Sequence, residues 1–351
     1  VSAAFAPHHT QFPSLHRGCR GMKFSGCQIE AWSEEYPING VFRISRDSRK
    51  TAQVVVCRVI CDGHSGVAEC VPYPRYGESV ESVLASIKEA ATAFNGSVDG
   101  DTLDEKMRPG AARNALDCAL WDLRAKMTGR HAHTIACTLP PRPVETAFTI
   151  SLDDPDRMSD AARAASSRPV LKIKLGGNHD IAAMHAVSAA APNSRIIIDA
   201  NEAWTPEALP ELMREAAGVH IALIEQPLPA TEDAFLHEIP HSVPICADES
   251  AHTTDDLESL RGRYDIINIK LDKAGGLTEA LKMRNRAREL GFGVMIGCMV
   301  GTSLSMAPAV LLAQDADYVD LDGPLLLAND RTPALRYAGN TVSPPRRDLW
   351  G

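Results

Sequence analysis

From Glu145 onward the chain repeats one unit, a short run of branched apolar residues followed by a helical stretch, roughly every 25 residues. The runs are ETAFTISL (145–152), VLKIKLG (170–176), RIIIDAN (195–201), IALIEQPL (221–228), VPICADES (243–250), DIINIKLD (265–272), GVMIGCM (293–299) and YVDLDGPL (318–325). Helical patterns fill the gaps, as at 180–191, 205–217 and 277–290. Strands joined by helical crossovers lie parallel, so the alternation predicts an α/β fold, and eight units predict a closed parallel barrel. An open doubly wound sheet is the alternative architecture. Its dinucleotide-binding form has little support, because no GxGxxG follows an early strand.

The N-terminal part reads differently. KFSGCQIEAW (23–32) and AQVVVCRVICDG (52–63) look like strands, and Gly40, Gly63 and Gly66 suit a small antiparallel sheet. Helices are expected over 79–94 and 111–127. In the second, Ala115, Ala119 and Leu123 recur at four-residue spacing, and Leu116 and Leu120 widen the same apolar face. The expected organisation is an α+β domain over 22–144 that ends in a proline-broken linker (TLPPRPVE, 138–145), a barrel over 145–325, and a segment over 326–351 that returns to the smaller domain. Residues 1–21 carry no periodic element and are expected to be a disordered or upstream extension; they lack the continuous apolar stretch of a signal peptide.

A formal charge of −9 argues against nucleic acid or an anionic membrane as a partner. No run of 18 apolar residues is present, so no membrane-spanning helix is expected. The nine cysteines are odd in number, form no CxxC pair and mostly sit in apolar runs such as QVVVCRVIC. They read as small buried hydrophobes of a reducing, cytoplasmic compartment, with a structural zinc site as the lesser alternative.

Polar residues interrupt the repeating strands at informative places. Asp199 ends RIIIDAN, Glu225 ends IALIEQP and Asp248 ends VPICADES, one strand–helix unit apart each time. In a parallel barrel all three reach the C-terminal rim on neighbouring strands. A lone acidic residue at a strand end is more often a cap, but three in consecutive units would repel one another unless a cation sat among them. An all-oxygen set favours magnesium, or manganese, over zinc. Asn201 and Glu249 stand just behind as supporting groups.

Lysines flank the trio. Lys172 and Lys174 alternate within LKIKL and so share a face, and Lys270 ends INIK. Lysine is rarely buried in core strands without purpose. Counted in units, Lys174 lies one strand before Asp199 and Lys270 one strand after Asp248, so the two bracket the trio. A cation that stabilises the enediolate of a substrate carboxylate makes the neighbouring C–H acidic. One lysine then removes the proton and the opposed one returns it, with Lys172 as a hydrogen-bonding assistant. Burial, a nearby cation and Lys172 are each expected to lower the pKa of Lys174. Opposed bases suit racemisation or epimerisation; elimination and cycloisomerisation use the same parts with one base idle. Asp320 and Asp322 alternate along the last strand, where they either cap a loop or hold a substrate ammonium. Arg43, Arg46 and Arg49, in FRISRDSR (42–49), are expected in a loop that folds over the mouth as a lid.

The series KIK (172–174), DAN (199–201), EQP (225–227), DES (248–250) and INIK (267–270) resembles the enolase superfamily, in its muconate-lactonising subgroup. The resemblance implies a modified (β/α)7β TIM-like barrel with an α+β N-terminal capping domain. It implies one magnesium per subunit on Asp199, Glu225 and Asp248, and an acid/base pair in Lys174 and Lys270. FRISRDSR, ECVPYPRYGES (69–79), GCMVGTS (297–303) and DLDGPLLLAND (320–330) further resemble the bacterial L-Ala-D/L-Glu epimerases. That likeness implies a dipeptide substrate in cytoplasmic recycling of cell-wall peptides. It places Asp320 and Asp322 on the dipeptide α-ammonium, Arg49 or Arg46 near the glutamate side chain, and Thr149 or Ser151 and Cys298 against the substrate. A homo-oligomer is compatible with it. Competing readings are an epimerase for other dipeptides, a muconate cycloisomerase or o-succinylbenzoate synthase, and a non-catalytic metal-binding barrel.

Overall fold

The structure, a computed structural model, describes residues 23–351; the expectation for residues 1–21 lies outside the described residues. Eight parallel strands stand side by side in strict chain order: Phe148–Ile150, Val170–Lys174, Arg195–Asp199, Leu223–Glu225, Ile245–Ala247, Ile266–Ile269, Gly293–Ile296 and Tyr318–Val319. The Ala147 N–H donates to the Val319 carbonyl at 2.8 Å, which brings the eighth strand against the first. A sequential order without a switch point excludes the doubly wound sheet. Seven crossovers join the strands, and two of them, Asp233–Glu238 and Thr254–Leu260, are 3-10 rather than α-helical. The fold is a modified (β/α)7β barrel with an N-terminal antiparallel cap.

Alternate residues of a strand face the barrel interior. Ala147, Val170, Ile197, Leu223, Cys246, Ile266 and Met295 form a separate buried apolar cluster, with Tyr318 packed against it. Two residues further along each strand come Thr149, Lys172, Asp199, Glu225, Asp248, Asn268, Gly297 and Asp320, all buried. The interior therefore changes from hydrocarbon to ionisable groups within one pleat. Gly297 belongs in this layer for a steric reason: a Cβ there would lie 2.6 Å from the Asn268 amide oxygen.

The cap is built on three antiparallel strands, Gln28–Ile44, Asp47–Cys61 and His64–Cys70. Helix Ala111–Thr128 lies on this sheet so closely that a Cβ on Gly66 would meet the Ala119 carbonyl at 2.0 Å. Helix Val80–Phe94 starts at a capping box between Ser79 and Ser82.

Two differences from the sequence expectation matter for the site. Most barrel strands are shorter than their apolar runs, because the chain turns away at the rim; Asn201, Glu202 and Gln226 all adopt positive φ there. In the cap, the first strand runs to Ile44 and the second starts at Asp47, so the expected loop at 42–49 is the tip of a long hairpin. Pro37 and Gly40 fall at its irregularity between residues 37 and 42, which hid the continuation of the expected 23–32 strand in the sequence.

At the C-terminus, Thr341–Val342 pairs with Val144–Glu145. Trp350 is fully buried and donates its indole N–H to the Cys118 carbonyl at 3.1 Å. No helix among the described residues is long and apolar enough to cross a membrane.

Candidate active site

The barrel register places Lys174, Asp199 and Glu225 directly side by side on the second, third and fourth strands. Asp248 and Lys270 follow the ends of the fifth and sixth strands by one residue. The expected acidic trio and all three lysines therefore meet at one rim. Lys172 Nζ lies 2.7 Å from Glu225 Oε2, 2.7 Å from Asp320 Oδ2 and 3.0 Å from Asp199 Oδ2. Lys174 Nζ lies 2.5 Å from Asp199 Oδ2, and Lys270 Nζ 2.7 Å from Asp248 Oδ2.

Among the described residues no three Asp, Glu, His or Cys side chains stand grouped as a ready-made metal cage. Each carboxylate instead turns to an ammonium, as buried charges must when a lysine is the nearest cation. The donor set nonetheless fits a hard cation. Burial, with Asp199 and Asp248 beside it, pushes the Glu225 carboxyl up to about 7, a sign of crowded negative charge. Asn201 Oδ1 and Glu249 Oε2 are buried without hydrogen-bond partners among the described residues. These are oxygens of the kind magnesium takes.

Lys172 and Lys270 are both shifted upward. Burial alone would lower Lys172, but Asp199, Asp320 and Glu225 outweigh it and hold its ammonium well above the usual range. At Lys270 burial is likewise outweighed, by Asp248 and Glu225. Asp248 resists burial and is held well below its ordinary value by Lys270 and Lys273.

Asp320 and Asp322 follow the last strand rather than lying within it, Asp322 as the cap of the 3-10 turn Gly323–Leu326, and Asp320 reaches Lys172. Asp320 Oδ1 is buried without a hydrogen bond. Asp322 accepts the Thr149 backbone N–H at 2.6 Å, and burial together with Asp320 pushes its carboxyl up to about 7. Thr149 thus meets the site through Asp322, by its backbone N–H and its side chain, while Ser151 lies half-buried beyond the strand end.

Between cap and barrel lies a cleft walled by Phe42, Ile44, Arg49 and Tyr73 on one side and by Lys174, Asn201, Asp248, Lys270 and Cys298 on the other. Arg49 faces this space and pairs with Asp47 at 2.5 Å. Arg46 is instead tied to Glu249 and to the Asn201 carbonyl, and Arg43 pairs outside with Asp153.

Several residues of the site escaped sequence reasoning. The buried Lys273 ammonium lies 2.6 Å from Asp248 Oδ1 and 2.5 Å from the Asp248 carbonyl. The single helical turn Leu271–Ala274, started at Lys270, brings it there; two lysines three apart in KLDK were the available signal. Asn268 donates to Glu225 Oε1 at 2.7 Å. Gln226 accepts the Asp248 N–H at 2.8 Å and donates to Ser250 and Tyr264, which fixes the loop carrying Asp248.

Comparison with known proteins agrees with this geometry. The family described as "Enolase C-terminal domain-like" matches residues 157–347, and "Mandelate racemase / muconate lactonizing enzyme, N-terminal domain" matches 28–135. An N-acetyl-D-glutamate racemase from a Pseudoalteromonas species is 46% identical over 82% of this chain and 91% of its own length. The L-Ala-D/L-Glu epimerase of Escherichia coli K12 is 43% identical over 88% of this chain and 97% of its own. An enolase family member from Agrobacterium tumefaciens with homology to dipeptide epimerases was solved with sodium and L-Ala-L-Glu bound. It superposes with a TM-score of 0.91 at 53% identity, over 94% of this chain and 100% of its own. The chain belongs to the enolase superfamily, in the mandelate racemase/muconate lactonising branch that also holds these racemases and epimerases.

Proposed function

We propose that the protein epimerises L-Ala-D/L-Glu at the glutamate α-carbon with the help of one divalent cation, magnesium or in its place manganese. The observation that carries this reading is the placement of Lys174 and Lys270 across one cleft, each against a different carboxylate of the acidic trio. Asp199, Glu225 and Asp248 would hold the cation. When bound, it supplies stabilisation of the negative charge that grows on the substrate carboxylate as the α-proton leaves.

The remaining chemistry belongs to side chains. Lys270, kept protonated by Asp248 and Glu225, is set to deliver a proton to one face of the α-carbon. Lys174 in its neutral form takes the proton from the opposite face, and the reverse reaction exchanges the roles. Lys172, wedged between three carboxylates, points a charge-assisted hydrogen bond at the developing oxyanion. Asp320 and Asp322 receive the dipeptide ammonium, and Arg49 faces the side-chain carboxylate of the second residue. The substrate on this reading is a peptide released from the cell wall and re-used in the cytoplasm.

The test is incubation of L-Ala-L-Glu with enzyme and magnesium in D2O. Deuterium should enter the glutamate α-position and the L,D diastereomer should form; EDTA should stop both and added magnesium restore them. No exchange with any Ala-X dipeptide would overturn the reading.

A second reading, racemisation of N-acetylglutamate, is favoured by the 46% identical relative. Both substrates are glutamates acylated on nitrogen, and they differ in whether an ammonium follows. Asp320 already faces Lys172 and Asp322 is shifted toward its neutral form, so an uncharged acyl group is compatible with the site. A higher kcat/KM for N-acetyl-D-glutamate than for the dipeptide would put this reading first.

A further inference from the structure

The hairpin tip touches four barrel loops. Its Arg43 carbonyl accepts the Leu152 N–H at 3.2 Å. Ser45 is seated against Gly176, where a Cβ would come within 2.6 Å of the Ser45 Cβ and 2.6 Å of the Ala203 Cβ. Gly176 also has a φ of +122°, so the loop after the second strand is shaped as a socket that only glycine leaves open. Arg46 then spans the loops after the third and fifth strands. Nη1 donates to the Asn201 carbonyl at 2.7 Å and lies 3.3 Å from Glu202 Oε2, while Nη2 donates to Glu249 Oε1 at 2.5 Å and to the Tyr73 hydroxyl at 3.1 Å. The Glu249 side chain is 1% exposed, so its charge needs a partner inside the protein, and Arg46 supplies one. Asn201 and Glu249 follow Asp199 and Asp248 by two residues and one.

Three residues along the same hairpin, Arg49 faces the cleft with its guanidinium 5.4 Å from the Tyr73 ring centroid, on the tyrosine whose hydroxyl Arg46 holds. The two arginines therefore divide the work. We propose that Arg46 is a positioning residue that latches the hairpin onto the loops following Asp199 and Asp248, and that this latch fixes Arg49 at the cleft wall before substrate arrives. The planar fork of arginine matters, because the Asn201 carbonyl and the Glu249 carboxylate lie on different loops and each takes its own guanidinium nitrogen. The kinetic part of this proposal rests on the dipeptide reading above; the latch itself does not.

Two measurements test it. Hydrogen–deuterium exchange is followed on the magnesium-loaded enzyme without substrate, comparing wild type with Arg46→Met, Arg46→Lys and Arg49→Met. Arg46→Met should speed exchange of the 42–49 amides on the order of tenfold or more, as expected for loss of charge-assisted hydrogen bonds to a buried carboxylate, and leave 53–61 unchanged. Arg46→Lys should fall between, and Arg49→Met should match wild type. In kinetics with L-Ala-L-Glu, Arg46→Met should raise KM by a similar factor with a smaller change in kcat. Wild-type exchange at 42–49 in Arg46→Met overturns the latch, and so does a loss confined to kcat. Absence of dipeptide turnover by the wild type counts against the functional reading alone, since the exchange measurement still decides on the latch.

Discussion

Replacing Lys270 by methionine removes one ammonium from the cleft at nearly constant volume, and the structure says how much else should change. The variant must not leave a bare buried carboxylate, because breaking a buried pair costs about 3–5 kcal/mol. Asp248 loses Lys270 at 2.7 Å but keeps Lys273 at 2.6 Å on its other oxygen. Glu225 keeps Lys172 at 2.7 Å and the Asn268 amide at 2.7 Å. The stability loss should therefore stay at or below the bottom of that range, at about 1.5–3 kcal/mol for one lost charged hydrogen bond. Catalysis should suffer far more. Removal of a general acid or base costs about 10²–10⁴-fold, and here epimerisation needs both faces while exchange needs one. In D2O, proton NMR should show epimerisation reduced by at least that factor, while α-proton exchange persists from the one diastereomer whose proton faces Lys174. Urea unfolding of the same preparation checks that the fold is kept. Retention of both activities would remove Lys270 from the chemistry. Loss of exchange from both diastereomers in a folded variant would show that the two lysines do not act on separate faces.

Two further outcomes concern stability. Trp350→Ala empties a fully buried indole site against helix Ala111–Thr128 and abandons the bond to the Cys118 carbonyl, so urea denaturation should show a loss of about 3–5 kcal/mol; a loss under 1 kcal/mol would mean the terminal segment is not integral to the cap. His241 is subject to burial, which lowers its pKa, but its bond to Asp265 at 2.8 Å outweighs this and raises it above the ordinary value of 6.5. A raised histidine contributes stability that is fully present below about pH 6.5 and is lost as pH rises through the folded value. His241→Gln should thus cost more at pH 6 than at pH 8.5, by on the order of 1 kcal/mol or less because Asp265 is 40% exposed. An equal cost at both pH values would refute the pairing.

The barrel was legible because its constraint is local and periodic. Branched runs such as RIII and DIINI have no use except in buried parallel strands, and the carboxylates that end them mark the rim without any knowledge of packing. What escaped the sequence were features that only tertiary contact creates. The hairpin strand Gln28–Ile44 was expected only as far as residue 32; beyond it just Ile38 and Ile44 are buried, so its continuation carries no apolar alternation to read. Its order comes from pairing with the next strand and from the barrel loops under its tip. Lys273 was hidden because its partner, Asp248, lies on another strand and a helical turn must first swing it there. The trio was placed on one rim, but which ammonium each carboxylate meets depends on side-chain reach across the mouth.

The spacing between the two interior layers explains why fold and chemistry coexist on the same strands. Cys246 and Asp248, or Leu223 and Glu225, are two residues apart and so share an inward face, one below the other. The apolar layer seals the barrel from below with side chains that need no partner. The ionisable layer then sits on a low-dielectric floor, where every charge acts strongly on its neighbours. Burial raises Glu225 and Asp322 to about 7, more than any one neighbouring charge does. Water admitted into the apolar layer, as by a polar residue in place of Leu223, would weaken those shifts without touching a single group that meets the substrate. The site's electrostatics are in this sense a property of the residues two positions upstream of it.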